Sequence, residues 1–196
     1  MASKKTVRLA QVSILAALIV VLQLMSYGIK IGTFNLSLVL IPLVVGGVLF
    51  GVRSGALLGL VFSIVVVIGC ITGMDVGGNM LWSVNPVLTT LVCLVKGVAA
   101  GAAGAAVAAL FRKWNKPIAG VIVAAVTVPV VNTGLFTLAM WFLFRETLVI
   151  WAAGQDVIFY IFFGLTGINF LIEFGLNVVL APVTERIIAA VRRANR

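Results

Sequence analysis

Apolar positions along this chain fall in long unbroken runs, not in the one-sided stripes of a helix half in water. The first run, VRLAQVSILAALIVVLQLMS, predicts a helix from Val7 to Ser26 after a short basic start. A polar stretch, YGIKIGTFNLS, separates it from a short second helix at about Leu38 to Phe50, which contains Pro42. The turn GVRSG leads into a third run, about Ala56 to Thr72. A Gly-rich polar stretch, GMDVGGNMLWSVNP, follows and reads as a loop. It ends in Asn85-Pro86, a helix-start signal: the Asn oxygen accepts from orphan N–H groups, and Pro has no N–H to leave unpaired. The fourth helix runs from there to about Phe111. The basic loop FRKWNKP comes next, and the fifth helix spans about Ile118 to Phe144.

The stretch from Thr147 to Val191 is too long for one crossing. About 45 helical residues would reach roughly 67 Å, over twice the thickness of a hydrocarbon core of about 30 Å. GLTG, from Gly164 to Gly167, is a natural break. A surface or re-entrant segment is therefore expected at Thr147 to Phe163. The sixth helix follows at about Ile168 to Ala190, with Pro182 a place to bend. The expected fold is an all-α integral membrane bundle of six transmembrane helices, forming a single domain over residues 1–196.

Composition agrees. Hydrophobic residues make up 63% of the chain and charged residues only 10%, with a mean hydropathy of +1.27. Soluble domains carry about 25% charged residues, so there is too little polar surface here to face water. The net charge of +9 would suggest nucleic acid in a soluble protein. Here the charges sit at the ends of apolar runs, with no basic stripe among aromatics, so no nucleic-acid partner is expected and the charge reads as topology. With the N-terminus inside, Lys4, Lys5, Arg8, Arg53, Arg112, Lys113, Lys116, Arg186, Arg192, Arg193 and Arg196 are all cytoplasmic. Only Lys30 and Arg145 lie outside, beside Asp75, Glu146 and Asp156. That asymmetry places both termini in the cytoplasm and the chain in the cell membrane. The start resembles a signal peptide's basic region, but the run is long and no A-x-A site follows, so it reads as a retained span.

Lys96 breaks the fourth helix about ten residues in, roughly 15 Å deep. An ionisable group at that depth costs about 2.5–3.5 kcal/mol on insertion scales and needs a partner or a wet cavity. Asn85 and Thr89 fall within about 20° of its direction on the helical wheel, so a polar stripe leads inward from outside. The sixth helix carries Asn169, Glu173 and Asn177 at four-residue spacing, and the fifth carries Thr127, Pro129, Asn132 and Thr133. These amides can bind solute or simply join helices. Lys96 and Glu173 can line a site or pair with one another. Trp82, Trp141, Trp151, Tyr27 and Tyr160 sit near the outer helix ends as an aromatic belt would, and Trp82, beside the Gly-rich stretch, is the best placed to stack on a ligand.

Gly47, Gly51, Gly55, Gly59, Gly97 and Gly101 give small-xxx-small pairs suited to close helix packing; Ser13 and Ala17 repeat that spacing on helix 1. Cys70 and Cys93 read as packing residues, since their spacing fits no zinc or redox motif. There is no His, no P-loop, no HExxH and no nucleophile–base pair. The chain is not expected to be an enzyme or to hold a metal or other cofactor. Uphill transport would need an ATPase partner or an ion gradient. A self-contained ion-coupled secondary transporter or channel, with Glu173 and Lys96 as coupling groups, is the alternative class.

Four segments, in this order, carry a resemblance: FNLSLVLIPLVVGGVLFGVRSG, LVKGVAAG, VNTGLF and INFLIEFGLNVVLAP. The chain resembles the substrate-binding S component of an energy-coupling factor (ECF) vitamin transporter. The resemblance implies a pocket open to the outside for a water-soluble vitamin. It also implies docking through helix 1 onto a transmembrane coupling subunit that carries two ATPase subunits, and toppling of the S component to deliver the vitamin inward. Lys96, Asn132 and Asn169 match ligand-contacting positions of riboflavin-binding members, and Asn35 is a further match. The family's Ala-x-x-x-Ala docking pair is here Ser13-x-x-x-Ala17. A buried Lys among amides suits pantothenate, with its carboxylate and amide. Riboflavin, matching the Asn-rich pocket and Trp82, comes next.

Overall fold

A computed structural model describes residues 4–28, 30–31, 34–35 and 39–194. The described residues are mostly helical: α1 (Lys4–Ser26), α2 (Leu40–Phe50), α3 (Val52–Thr72), α4 (Val76–Val84), α5 (Pro86–Lys113), α6 (Pro117–Phe142), α7 (Arg145–Ala152), α8 (Val157–Phe159) and α9 (Gly167–Ala194). A π-helical turn, Tyr160–Leu165, continues α8. Between α1 and α2, β1 (Lys30–Ile31) and β2 (Phe34–Asn35) pair antiparallel. The side chains of Lys4, Lys30, Asn35, Asn169 and Arg192, and residue Arg196, lie outside what is described.

Helices α1, α3, α5, α6 and α9 are each long and apolar enough to cross a bilayer. The short second helix expected from the sequence is α2. Its 11 residues reach only about 16 Å at 1.5 Å per residue, half a hydrocarbon core. It makes up for that by being enclosed: every residue from Leu40 to Val48 except Ile41 is buried.

Glycine sets the helix spacing. Gly55 and Gly59 of α3 lie against the backbone of Gly101 and Gly97 of α5, and a Cβ on any of the four would collide with a neighbour. Gly47 of α2 meets Ala105 of α5, and Gly104 of α5 meets Val128 of α6. Apolar side chains gain nothing by leaving lipid for one another, so helix association rests on such close van der Waals approach. The small-xxx-small pairs are thus used inside the bundle.

The contacts also give the direction of each helix. The Arg8 guanidinium donates to the Phe50 carbonyl (2.6 Å) and the Ser54 hydroxyl (3.1 Å), while Tyr27 donates to the Val65 carbonyl (2.8 Å). Helices α1 and α3 therefore run parallel, with α2 returning between them. The glycine contacts make α5 antiparallel to α3, and those of Gly104 and Gly120 make α6 antiparallel to α5. One end of the bundle thus gathers Arg8, Arg53, Arg112, Lys113 and Lys116, all exposed.

One stretch differs from expectation and another keeps to it. The Gly-rich stretch before Asn85 contains a helix, α4, capped by Asp75, whose carboxylate accepts from the Gly78 N–H (3.0 Å). Its glycines do not break it; Gly78 is small because a Cβ there would strike the Cys70 sulfur. Residues 145–165 form two short helices bent by 94°, in keeping with a surface or re-entrant segment. Met140, Phe144, Leu148, Ile161 and Leu165, with Leu81, form an apolar cluster that ties this pair to α4 and α6. Helix α9 continues through Pro182.

Replacing Gly59 by Val should destabilise the protein by about 1–3 kcal/mol through overpacking at the α3–α5 contact. Gly134→Ala, where an added Cβ meets nothing within 4 Å, should leave stability unchanged or raise it by up to about 1 kcal/mol through helix propensity. Thermal unfolding in detergent reads both.

Candidate functional site

Polar groups that a bilayer excludes converge at the end of the bundle away from the exposed Lys and Arg cluster. On α5, Thr89, Cys93 and Lys96 share one face at i, i+4 and i+7. On α6, Asn132, Thr133, Phe136 and Met140 do the same. All seven line one hollow. Gln23 of α1, Cys70 of α3, Asp75, Thr166, and Phe170 and Glu173 of α9 complete the wall, with the apolar side chains of Phe62 and Val66 at one side.

The hollow and its mouth contain about 860 Å³ of atom-free space, and about 80 Å³ of that can hold the centre of a water-sized group. One buried water needs about 10–15 Å³ by this measure, so the site accommodates several polar groups at once.

Three of these lining residues carry buried side-chain oxygens that are not consumed by hydrogen bonds. Gln23 Oε1, Thr89 Oγ1 and Asn132 Oδ1 are buried with no hydrogen-bond partner in the structure; their residues are 2%, 2% and 6% exposed. Leaving a buried polar group unpaired costs about 1–3 kcal/mol. The Lys96 ammonium sits 5.1 Å from the centre of the Phe136 ring, a cation–π contact that holds the amine at the wall. Glu173 is 5% exposed, and its carbonyl accepts from the Asn177 side-chain amide one turn on (2.8 Å). Pro129, inside α6, cannot donate to the Ala125 carbonyl. This interrupts the helix ladder one turn before Asn132.

The structure therefore brings together Lys96, Thr89, Asn132 and Glu173. It does not bring in the other two described candidates. Asn85 spends its side chain as the cap of α5, accepting from the Leu88 N–H (3.0 Å). Trp82 is half-buried and packs against the core cluster, and it does not line the hollow. Asn169 belongs to the first turn of α9 and Asn35 to β2, but their side chains lie outside the described residues.

Several lining residues carried no signal in the sequence. Gln23 is one polar residue near the end of a long apolar run, and a single helix-end Gln resembles an ordinary interfacial residue. Cys70 and Cys93 line the hollow as well as packing in the core, and their thiols hydrogen-bond each other. Phe136, Phe170 and Thr166 belong to no pattern until the helices are assembled.

A family model described as "ECF transporter, substrate-specific component" matches residues 7–184. The chain belongs to this family. No curated protein and no solved structure matches it. As a substrate-specific component it is a multi-pass membrane transport subunit and not an enzyme. Subunits of this family take a small-molecule substrate and work with a membrane coupling subunit and ATPases.

Accessibility tests the hollow directly. In a variant with Cys70 and Cys93 replaced by Ala, a cysteine introduced by Thr133→Cys should react with a small hydrophilic methanethiosulfonate. A cysteine introduced by Ser63→Cys should not, since Ser63 is fully buried and faces α5, bonding the Gly59 carbonyl. No labelling at either position would mean the hollow is closed to water.

Proposed function

We propose that this substrate-specific component captures a water-soluble vitamin in the hollow between α5, α6 and α9, and delivers it inward with an ATPase-bearing coupling module. What supports this reading is the Lys96 amine together with three residues, Gln23, Thr89 and Asn132, that line the same hollow and each carry a buried, unpartnered side-chain oxygen. A greasy helix interface has no use for that arrangement, whereas a polar solute satisfies it. Pantothenate is the favoured ligand and riboflavin the next. A carboxylate can take a charge-assisted bond from Lys96, and its hydroxyl and amide N–H groups can satisfy the waiting oxygens.

Orientation follows from charge. With the Lys and Arg end in the cytoplasm of a cell membrane, the hollow opens outside, where a scavenged vitamin arrives. Residues 1–196 act as one domain. Docking uses α1, whose Ser13 and Ala17 are exposed beside Leu9, Ile14, Leu18 and Val21. Small residues flanked by exposed apolar ones let a partner helix approach closely.

Calorimetry on the isolated protein with a vitamin panel tests this reading. One vitamin should bind, and Lys96→Ala should weaken it roughly ten- to a hundredfold, the worth of a charge-assisted hydrogen bond. No binding across the panel would overturn it. Flux through liposomes containing this chain alone, driven by a proton or sodium gradient, would instead support the ion-coupled alternative with Lys96 and Glu173 as its charges.

A further inference from the structure

Helix α1 faces mostly outward, yet it places one polar side chain in the hollow. Gln23 is 2% exposed, and its Oε1 has no partner. Its orientation is decided by Tyr27, one turn along. The Tyr27 hydroxyl gives its proton to the Val65 carbonyl of α3 at 2.8 Å, so the phenol oxygen can only accept from a second neighbour. Gln23 is hydrogen-bonded to that oxygen. The Gln23 amide must therefore present its NH₂ to Tyr27, and its carbonyl oxygen is left without a partner beside the hollow that Gln23 lines. Tyr27 is itself seated: Gly69 of α3 leaves the space that its ring and hydroxyl fill, and a Cβ there would collide with them.

We infer that Gln23 is a ligand-contacting residue, oriented by Tyr27, that makes the packing of α1 against α3 depend on whether the hollow is occupied. When the hollow is empty, the buried Oε1 is a cost that can be relieved by letting the end of α1 move. A ligand hydroxyl or N–H that bonds Oε1 removes that cost and favours the seated helix. A ligand shifts an equilibrium only by its differential interaction with the two states, and this bond exists in one of them. The same helix carries the exposed Ser13 and Ala17, so occupancy of the hollow is read out on the outward face of α1. This rests on the solute-capture reading and adds a route from ligand to docking helix.

Three measurements decide it. In thermal unfolding without ligand, Gln23→Leu should melt higher than wild type, since it replaces an unpaired buried polar group with an apolar one of similar size. In calorimetry with pantothenate and riboflavin, Gln23→Leu should bind the recognised vitamin roughly three- to tenfold more weakly, the loss of one neutral hydrogen bond. A spin label attached through Ala17→Cys should become less mobile when the vitamin is added to otherwise wild-type protein. It should respond less in Tyr27→Phe, compared at vitamin concentrations that saturate each protein, because that variant no longer ties α1 to Val65. Unchanged affinity in Gln23→Leu, or a label response in Tyr27→Phe equal to wild type, overturns the proposal while leaving vitamin capture intact. If neither vitamin binds wild type, the capture reading fails by itself. The melting comparison then decides, and a Gln23→Leu protein no more stable than wild type overturns the role given to Gln23.

Discussion

Backbone-to-backbone contact between α3 and α5 sets the rest of the structure. Where Gly55 and Gly59 meet Gly101 and Gly97, no side chain stands between the helices, so neither helix can slide or rotate without a collision. Lys96 is the neighbour of Gly97. With Gly97 turned to α3, Lys96 is held about 100° around the helix, where it lies over Phe136 and lines the hollow. A bilayer offers no hydrophobic force to hold helices together, so this fit is what fixes the depth and direction of a charge that lipid would otherwise reject.

The hollow shows what such a scaffold supports. Water-soluble proteins bury few unpaired polar atoms. Here Gln23, Thr89 and Asn132, which line one hollow, each carry one. The end with the exposed Arg and Lys is glycine-tight. The other end holds the hollow, with Gly78 and Leu81 of α4 in its wall. Preorganised polar groups of this kind favour a ligand because their ordering cost is met during folding and not during binding.

Much of the fold is legible from run length alone. A membrane core demands about 20 apolar residues per crossing and internally satisfied backbone, so long runs, basic loop ends and the GLTG break identify the spans and the interrupted segment after α6. The errors have a local cause. The helix α4 was hidden because glycine usually breaks helices in isolation, whereas Gly78 is there to admit the Cys70 sulfur.

The candidate site was readable where one helix carried several polar residues in phase, as with Thr89 and Lys96, because helical periodicity alone puts them on one side. Periodicity cannot say which side of a helix meets which neighbour. Asn85 reads as part of the same stripe but is consumed capping its own helix, Trp82 packs against the core cluster, and Gln23 enters from a helix whose pattern is otherwise plain. Composition and spacing determined a helical membrane bundle with a charged residue at depth. Only tertiary packing, through glycine contacts between helices distant in sequence, decided which polar atoms share a hollow and which are spent elsewhere.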